Sequence, residues 1–205
     1  MSHCRFKKIR RILRFDNPDT HQARLARDKL AAVRLLIEGF QSNSHSAFIP
    51  GECVTVDEQL YPFRGRCRYR QYMPNKPAKY GLKFWLLCEN ENFYCYNLQF
   101  YCGKEDERPS NIPLGEHVVM SLSESLKQSG RNITCDNFFT SLSLANNLNK
   151  SGLTLVGTMK SNRCELPANF RTPQINLYVQ PCKLAQKIQQ RSLFLFPIRR
   201  SRTKW

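Results

Sequence analysis

The sequence predicts an α/β domain on a mixed sheet, with a small helical segment before it and a basic tail after it. Three observations lead there. From Gly51 the spacing of apolar residues changes from the helical period of about 3.6 to the strand period of about two. Three strand-like segments rich in Val, Phe, Tyr, Trp and Leu then follow one another: Cys53–Gln59, Tyr80–Cys88 and Phe93–Cys102. After them a helix, a strand, a helix and a strand alternate, which is the order of crossover units in a parallel sheet. The resulting division is 1–46 for the helical segment and its linker, 47–165 for the α/β core and 166–205 for the tail.

In chain order, Phe6, Ile9, Ile12 and Leu13 recur at helical spacing among Arg5, Lys7, Lys8, Arg10, Arg11 and Arg14, so residues 3–15 read as an amphipathic helix ended by Asn17-Pro18. A second helix is expected over Arg24–Phe40, burying Leu25, Val33, Leu36, Ile37 and Phe40, and Ser42–Ser46 reads as a polar linker. Glu89-Asn90-Glu91-Asn92 is a hairpin turn between the second and third strands, and Lys104–Pro113 is a charged loop. Leu114–Gln128 is a helix with Val118, Val119, Leu122 and Leu126 inward, stopped by Gly130. Asn132–Asp136 is a short strand. Thr140 or Ser141 caps the helix that runs through Asn149 and closes at Gly152, and Leu153–Met159 is the last strand. This order suggests a ribonuclease H-like sheet. In that arrangement the first and fourth predicted strands are neighbours, so Asp57 and Asp136 would emerge at adjacent strand ends. Residues 166–205 carry eight cations and no acid, and SLFLFPIRRSRTKW shows no sustained period.

Thirty-two Lys and Arg against 16 Asp and Glu give a net charge of +16. Such an excess on a protein surface attracts polyanions, nucleic acid first. No apolar run reaches the roughly 18 residues of a membrane span, so no membrane partner is expected. Nine cysteines occur without a CxxC, and His3, His21, His45 and His117 stand at no zinc-ligand spacing, so reduced thiols and no zinc site are expected.

Hydrolysis or transfer of a phosphodiester needs an activated oxygen nucleophile and a stabilised leaving oxygen, which a few carboxylates can arrange by holding hard divalent ions. Asp57, with Glu58 beside it, and Asp136 are the candidates. An aspartate after a strand is also a common turn former, and that reading stands beside the catalytic one. Glu58 would face away from Asp57 if the strand continues, which makes it the weaker ligand. Arg64, Arg66, Arg68, Arg70, Lys76, Lys79 and Lys83 follow the first carboxylate with no acid among them, and Tyr69, Tyr72 and Tyr80 add aromatic surface. This composition suits a DNA backbone, although any one of these cations could belong to a solvated loop.

TVDEQLYPFRGRCRYRQYMPNKPAKYGLKFW, then PLGEHVV, NITCDNFFTSLSLANNL and LVGTMKSNR, with MSHCRFKKIRRILRFDN upstream, resemble in the same order the transposase domain of the piggyBac family and its transposable element-derived relatives, over about residues 1–170. The resemblance implies a ribonuclease H-like core of the DDE type that excises and integrates DNA in the nucleus, using Mg²⁺ or Mn²⁺ held by aspartates. It also implies a homodimer. The family's first catalytic aspartate falls on Asp57 and its second on Asp136. Its later aspartates lie further downstream, whereas no Asp follows Asp136 here and the family's cysteine-rich tail has no counterpart. The sheet is therefore expected to be incomplete and the chain truncated, inactive alone. A domesticated DNA-binding or chromatin-associated module without catalysis is the alternative.

Overall fold

The structure, a computed structural model, describes residues 1–103, 109–159, 175–181 and 193–199, the last two segments as backbone only. The chain forms two compact units, Met1–Ala47 and Phe48–Trp205.

The first unit holds three helices. Helix α1, His3–Ile12, is capped by Ser2, whose hydroxyl accepts from the Arg5 N–H at 3.3 Å, and it ends with Arg10 and Arg11 where the helix dipole favours cations. Helix α2, Pro18–Leu25, starts on an Asn17 cap with Pro at the first turn. Helix α3 spans Arg34–Ala47. The single helix expected over Arg24–Phe40 is thus interrupted. At the break Asp28 accepts from the Leu30 N–H at 2.9 Å and takes both Nε and Nη2 of Arg34 at 2.8 and 2.7 Å, a side-chain alternative to helical bonding. Ser42–Ser46 is no linker. It lies inside α3, because nothing from Gln41 to Ala47 breaks a helix. Leu36 and Phe40, expected to be buried, are exposed.

The second unit is a mixed sheet. Its strands are β1 (Cys53–Pro62), β2 (Gln71–Tyr72), β3 (Tyr80–Glu89), β4 (Cys95–Phe100), β5 (Asn132–Cys135), β6 (Thr154–Met159), β7 (Ile175–Pro181) and β8 (Leu193–Arg199). The order is β2-β3-β1-β5-β6-β7-β8, with β4 also paired to β3. β1, β3 and β4 are antiparallel, β5 and β6 run parallel to β1, and the β7–β8 hairpin pairs antiparallel with β6. The first predicted strand and the fourth (β5) are indeed neighbours. The aperiodic end of the tail contributes a strand, β8, against expectation. Residues 160–174, 182–192 and 200–205 of the tail, and 104–108 of the charged loop, lie outside the described residues.

Helices α4 (Leu114–Leu122) and α5 (Leu142–Lys150) cover one face, where Val54, Val56, Trp85, Leu87, Ile133, Cys135 and Leu155 meet Val118, Val119, Leu122, Leu144 and Leu148. The helix expected to reach Gln128 stops at Leu122. Ser123 turns its hydroxyl back to the Val119 carbonyl at 2.7 Å, and a short 3-10 turn, Glu124–Leu126, follows. Ser141 is the cap of α5, accepting from the Leu144 N–H at 3.0 Å.

Candidate active site

Along β1 the side chains alternate. Val54, Val56 and Leu60 are buried on the helix-covered face, while Thr55, Asp57 and Gln59 point to the other. Val54 pairs with Ile133 and Val56 with Cys135 across the parallel β1–β5 ladder. One residue further, Asp57 and Asp136 directly follow these partners in the chain, Asp57 on the face of β1 away from α4 and α5 and Asp136 in the loop where β5 stops. The buried Cys135 thiol is pushed well above its ordinary pKa, first by desolvation and then by the negative charges of Asp136 and Asp57, so both carboxylates act on one side chain.

Each carboxylate is oriented locally. Asp57 Oδ1 accepts from the Glu58 N–H at 2.7 Å, and Asp136 Oδ1 accepts from the Phe138 N–H at 2.9 Å. The loop after Asp136 is fixed more firmly. Thr140 donates both its N–H (3.1 Å) and its hydroxyl (2.7 Å) to the Asp136 carbonyl. Thr140 fits there because β6 carries Gly157, where a Cβ would stand 2.2 Å from the Thr140 hydroxyl oxygen. Behind the loop, Phe138 stacks on Trp85 at 5.6 Å and 15°, and Phe139 meets Trp85 edge-on at 5.5 Å. Buried Glu116 of α4 braces α5, accepting through Oε1 from Ser143 (3.0 Å) and Asn147 (2.7 Å).

Glu58 lies on the helix-covered face, with Trp85 as its partner on β3. Lys83 pairs with it at 2.8 Å and Lys76 at 3.5 Å, and Lys76 also donates to the Glu58 carbonyl at 3.3 Å. The Lys83 ammonium sits 3.9 Å from the Trp85 ring centroid. A line of contacts, Glu58–Lys83–Trp85–Phe138, therefore joins the residue after Asp57 to the loop after Asp136. Sequence reasoning missed Trp85, Phe138, Thr140, Gly157 and Glu116 as supports, since nothing in their spacing reveals a cross-strand pairing. Only the aromatic density of the two motifs hinted at it.

Of the seven cations singled out from sequence, Lys76 and Lys83 are thus engaged with Glu58. Arg64, Arg66, Arg68, Arg70 and Lys79 are exposed. Arg64, Arg70 and Lys79 line an open concavity of about 550 Å³ with Pro77, Ala78 and Tyr80. Arg70 lies over the Tyr80 ring at 5.4 Å, Arg68 over Tyr69 at 5.3 Å, and Tyr72 packs against Tyr80 at 4.8 Å. Among the described residues, no group of three or more His, Cys, Asp or Glu side chains converges as a metal cage, and no helix is long and apolar enough to cross a membrane.

A central β1 flanked by an antiparallel pair on one side and parallel strands on the other, with helices crossing between, is the ribonuclease H-like arrangement. The family model described as Transposase IS4 matches residues 1–204, and the chain belongs to this transposase family, within its piggyBac branch. The human PiggyBac transposable element-derived protein 3 is 29% identical over 143 residues, covering 67% of this chain and 24% of that protein. The human Chimeric ERCC6-PGBD3 protein is likewise 29% identical over 143 residues, 67% of this chain and 13% of its own length. A piggyBac transposase solved by cryo-electron microscopy as a synaptic complex with hairpin DNA is 34% identical, with a TM-score of 0.80 over 96% of this chain and 43% of that one. The chain therefore spans about a quarter or less of the curated relatives' length. The match to residues 1–204 also takes in the basic tail.

Proposed function

We propose that this chain is a transposase-derived DNA-binding protein in which Asp57 and Asp136 form two carboxylates of a DDE-type divalent-metal site. The observation that supports the reading is the parallel β1–β5 ladder, whose last pair, Val56 with Cys135, immediately precedes two aspartates distant in sequence. The donor set fits Mg²⁺ or Mn²⁺: both groups are exposed carboxylates, hard oxygen ligands, each steadied through Oδ1 by a backbone N–H. When bound, such an ion supplies Lewis-acid stabilisation of phosphate oxygens and activation of an attacking oxygen. The protein's own part is to hold Asp136 through Thr140, to keep the loop seated on Trp85, and to prevent Glu58 from competing by pairing it with Lys83.

Arg64, Arg66, Arg68, Arg70 and Lys79 bind the DNA backbone beside exposed Tyr72 and Tyr80, which offer stacking surfaces. The chain acts on nuclear DNA, as a homodimer. Two carboxylates hold a pair of metal ions poorly, so cleavage needs ligands beyond Asp57 and Asp136.

Fluorescence anisotropy with duplex DNA and Mn²⁺ binding by electron paramagnetic resonance test both parts. DNA affinity should fall steeply with salt and weaken in Arg64→Ala/Arg70→Ala. Asp57→Asn should keep DNA affinity and lose most Mn²⁺ binding. Salt-insensitive DNA binding would remove the first part, and unchanged Mn²⁺ binding in Asp57→Asn the second.

A further inference from the structure

Cys88, near the end of β3, and Cys95, at the start of β4, are partners across the antiparallel ladder, at a bulge where the pairing shifts. Both are half-buried free thiols, and they share a hydrogen bond with each other. The Cys95 thiol also reaches the Asn97 carbonyl at 3.6 Å. Directly opposed residues in an antiparallel pair have Cα atoms about 4.5–5.5 Å apart, inside the range of about 4.4–6.8 Å that a disulfide bridges. The thiols are therefore placed for bond formation without rearranging the strands. Cys88 also lines an open concavity of about 340 Å³ with Asp57, Thr55, Leu86 and Phe93, so a small oxidant can approach it from that side.

We propose that Cys88 and Cys95 are a reversible dithiol–disulfide modification site on the Asp57 face of the sheet, oxidised by a small disulfide of the glutathione class. The Cys88 thiolate attacks one sulfur of glutathione disulfide, forming a mixed disulfide and releasing one glutathione thiolate. Cys95 gives up its proton and attacks the Cys88 sulfur, expelling the second glutathione thiolate. Two protein thiols lose two electrons in total, and one glutathione disulfide becomes two glutathiones. The loop closed is the short β3–β4 turn, so the cross-link removes little conformational freedom from the unfolded chain and is readily reduced. That suits a labile mark better than a structural staple. This assignment does not depend on metal or DNA binding.

The test equilibrates the full chain, folded, in glutathione disulfide–glutathione buffers, alkylates the remaining thiols and maps the products by mass spectrometry. Cleavage after Glu89 or Glu91 separates the two cysteines, so the bond holds two fragments together until reduction. The expected result is a Cys88–Cys95 link, two hydrogens lighter than the dithiol, that disappears in excess glutathione. Three results overturn the proposal: both thiols fully alkylated in the oxidising buffer, a glutathione adduct that persists without a cross-link, or Cys88 joined instead to Cys53 or Cys102.

Discussion

The helical unit and the sheet unit are held by different forces. In Met1–Ala47 only Ala31 and Ser44 are buried, while Phe6, Ile12, Leu35, Leu36 and Phe40 are 44–77% exposed. Its order rests on local devices: the Ser2 and Asn17 caps, the Asp16 carboxylate between His21 and Arg24, and the Asp28–Arg34 fork. The sheet unit instead removes Trp85, Phe139, Leu122, Ile133, Leu144 and Leu148 almost wholly from water. Each local device contributes about 1 kcal/mol, whereas a buried large side chain contributes several times that. The two parts should therefore respond to mutation on different scales.

The largest effect is expected in the sheet unit. Trp85→Ala should cost about 3–5 kcal/mol in urea unfolding, and it should also loosen the loop after Asp136, since Phe138 and Phe139 both pack on that ring. A loss no greater than that of a surface substitution would break the comparison.

Next comes acid. Glu89 is buried and takes the Asn92 and Glu91 N–H groups of the hairpin turn at 2.7 and 2.9 Å, and these bonds, Asn92's first, hold its pKa below the ordinary value. A carboxylate whose folded pKa is depressed stabilises the fold above its unfolded pKa of about 4.3, and that contribution disappears as pH falls through the folded value. Thermal unfolding followed from pH 6 toward pH 3, in round terms about the carboxylate range, should show a decline that Glu89→Gln reduces. Equal slopes for both proteins would remove this role.

The smallest effects belong to the helical unit. Arg34, through its hydrogen bonds, depresses the Asp28 pKa in the same direction, but the pair is partly exposed and screened. Asp28→Asn should lower stability by at most about 1 kcal/mol, and Leu35→Ala should fall within about 0.5 kcal/mol of the parent by denaturant titration. A larger loss from Leu35→Ala would show that this side chain is covered in solution.

The sheet unit was the more legible of the two in the sequence, for the same reason that it is the better packed. Alternation in Cys53–Gln59 and Tyr80–Cys88 fixes which face of a strand is buried, and tertiary packing agrees with it. The helical unit misled because LAAVRLLIE is good helix sequence throughout, and only the Asp28 side chain, competing for the Leu30 N–H, ends the continuity. Phe93 was read as strand, yet it adopts a positive φ of 54° in the turn, a conformation an aromatic residue does not advertise. SLFLFPIRRSRTKW shows no sustained period, yet Leu193–Arg199 forms β8, which pairs only with β7 among the described strands, an edge position that tolerates the missing N–H of Pro197. For the proposed site, motifs and element order point to Asp57 and Asp136, and the pairing of β1 with β5 that this order implies is present. Glu58's engagement by Lys83 was not, because it depends on which β3 residue stands opposite.

The parallel contact of β1 with β5 has a consequence for how the molecule comes into being. About eighty residues of chain separate the two aspartates, and joining distant segments is slow compared with closing a neighbouring turn. A polypeptide emerging from the ribosome has its first acid in place, within the β1–β3–β4 meander, well before the second arrives. Until then Asp57 is an ordinary surface carboxylate, and a protease nick that freed β5 would return it to that condition. On the proposed reading, any ability to gather cations is thus gained late and surrendered early.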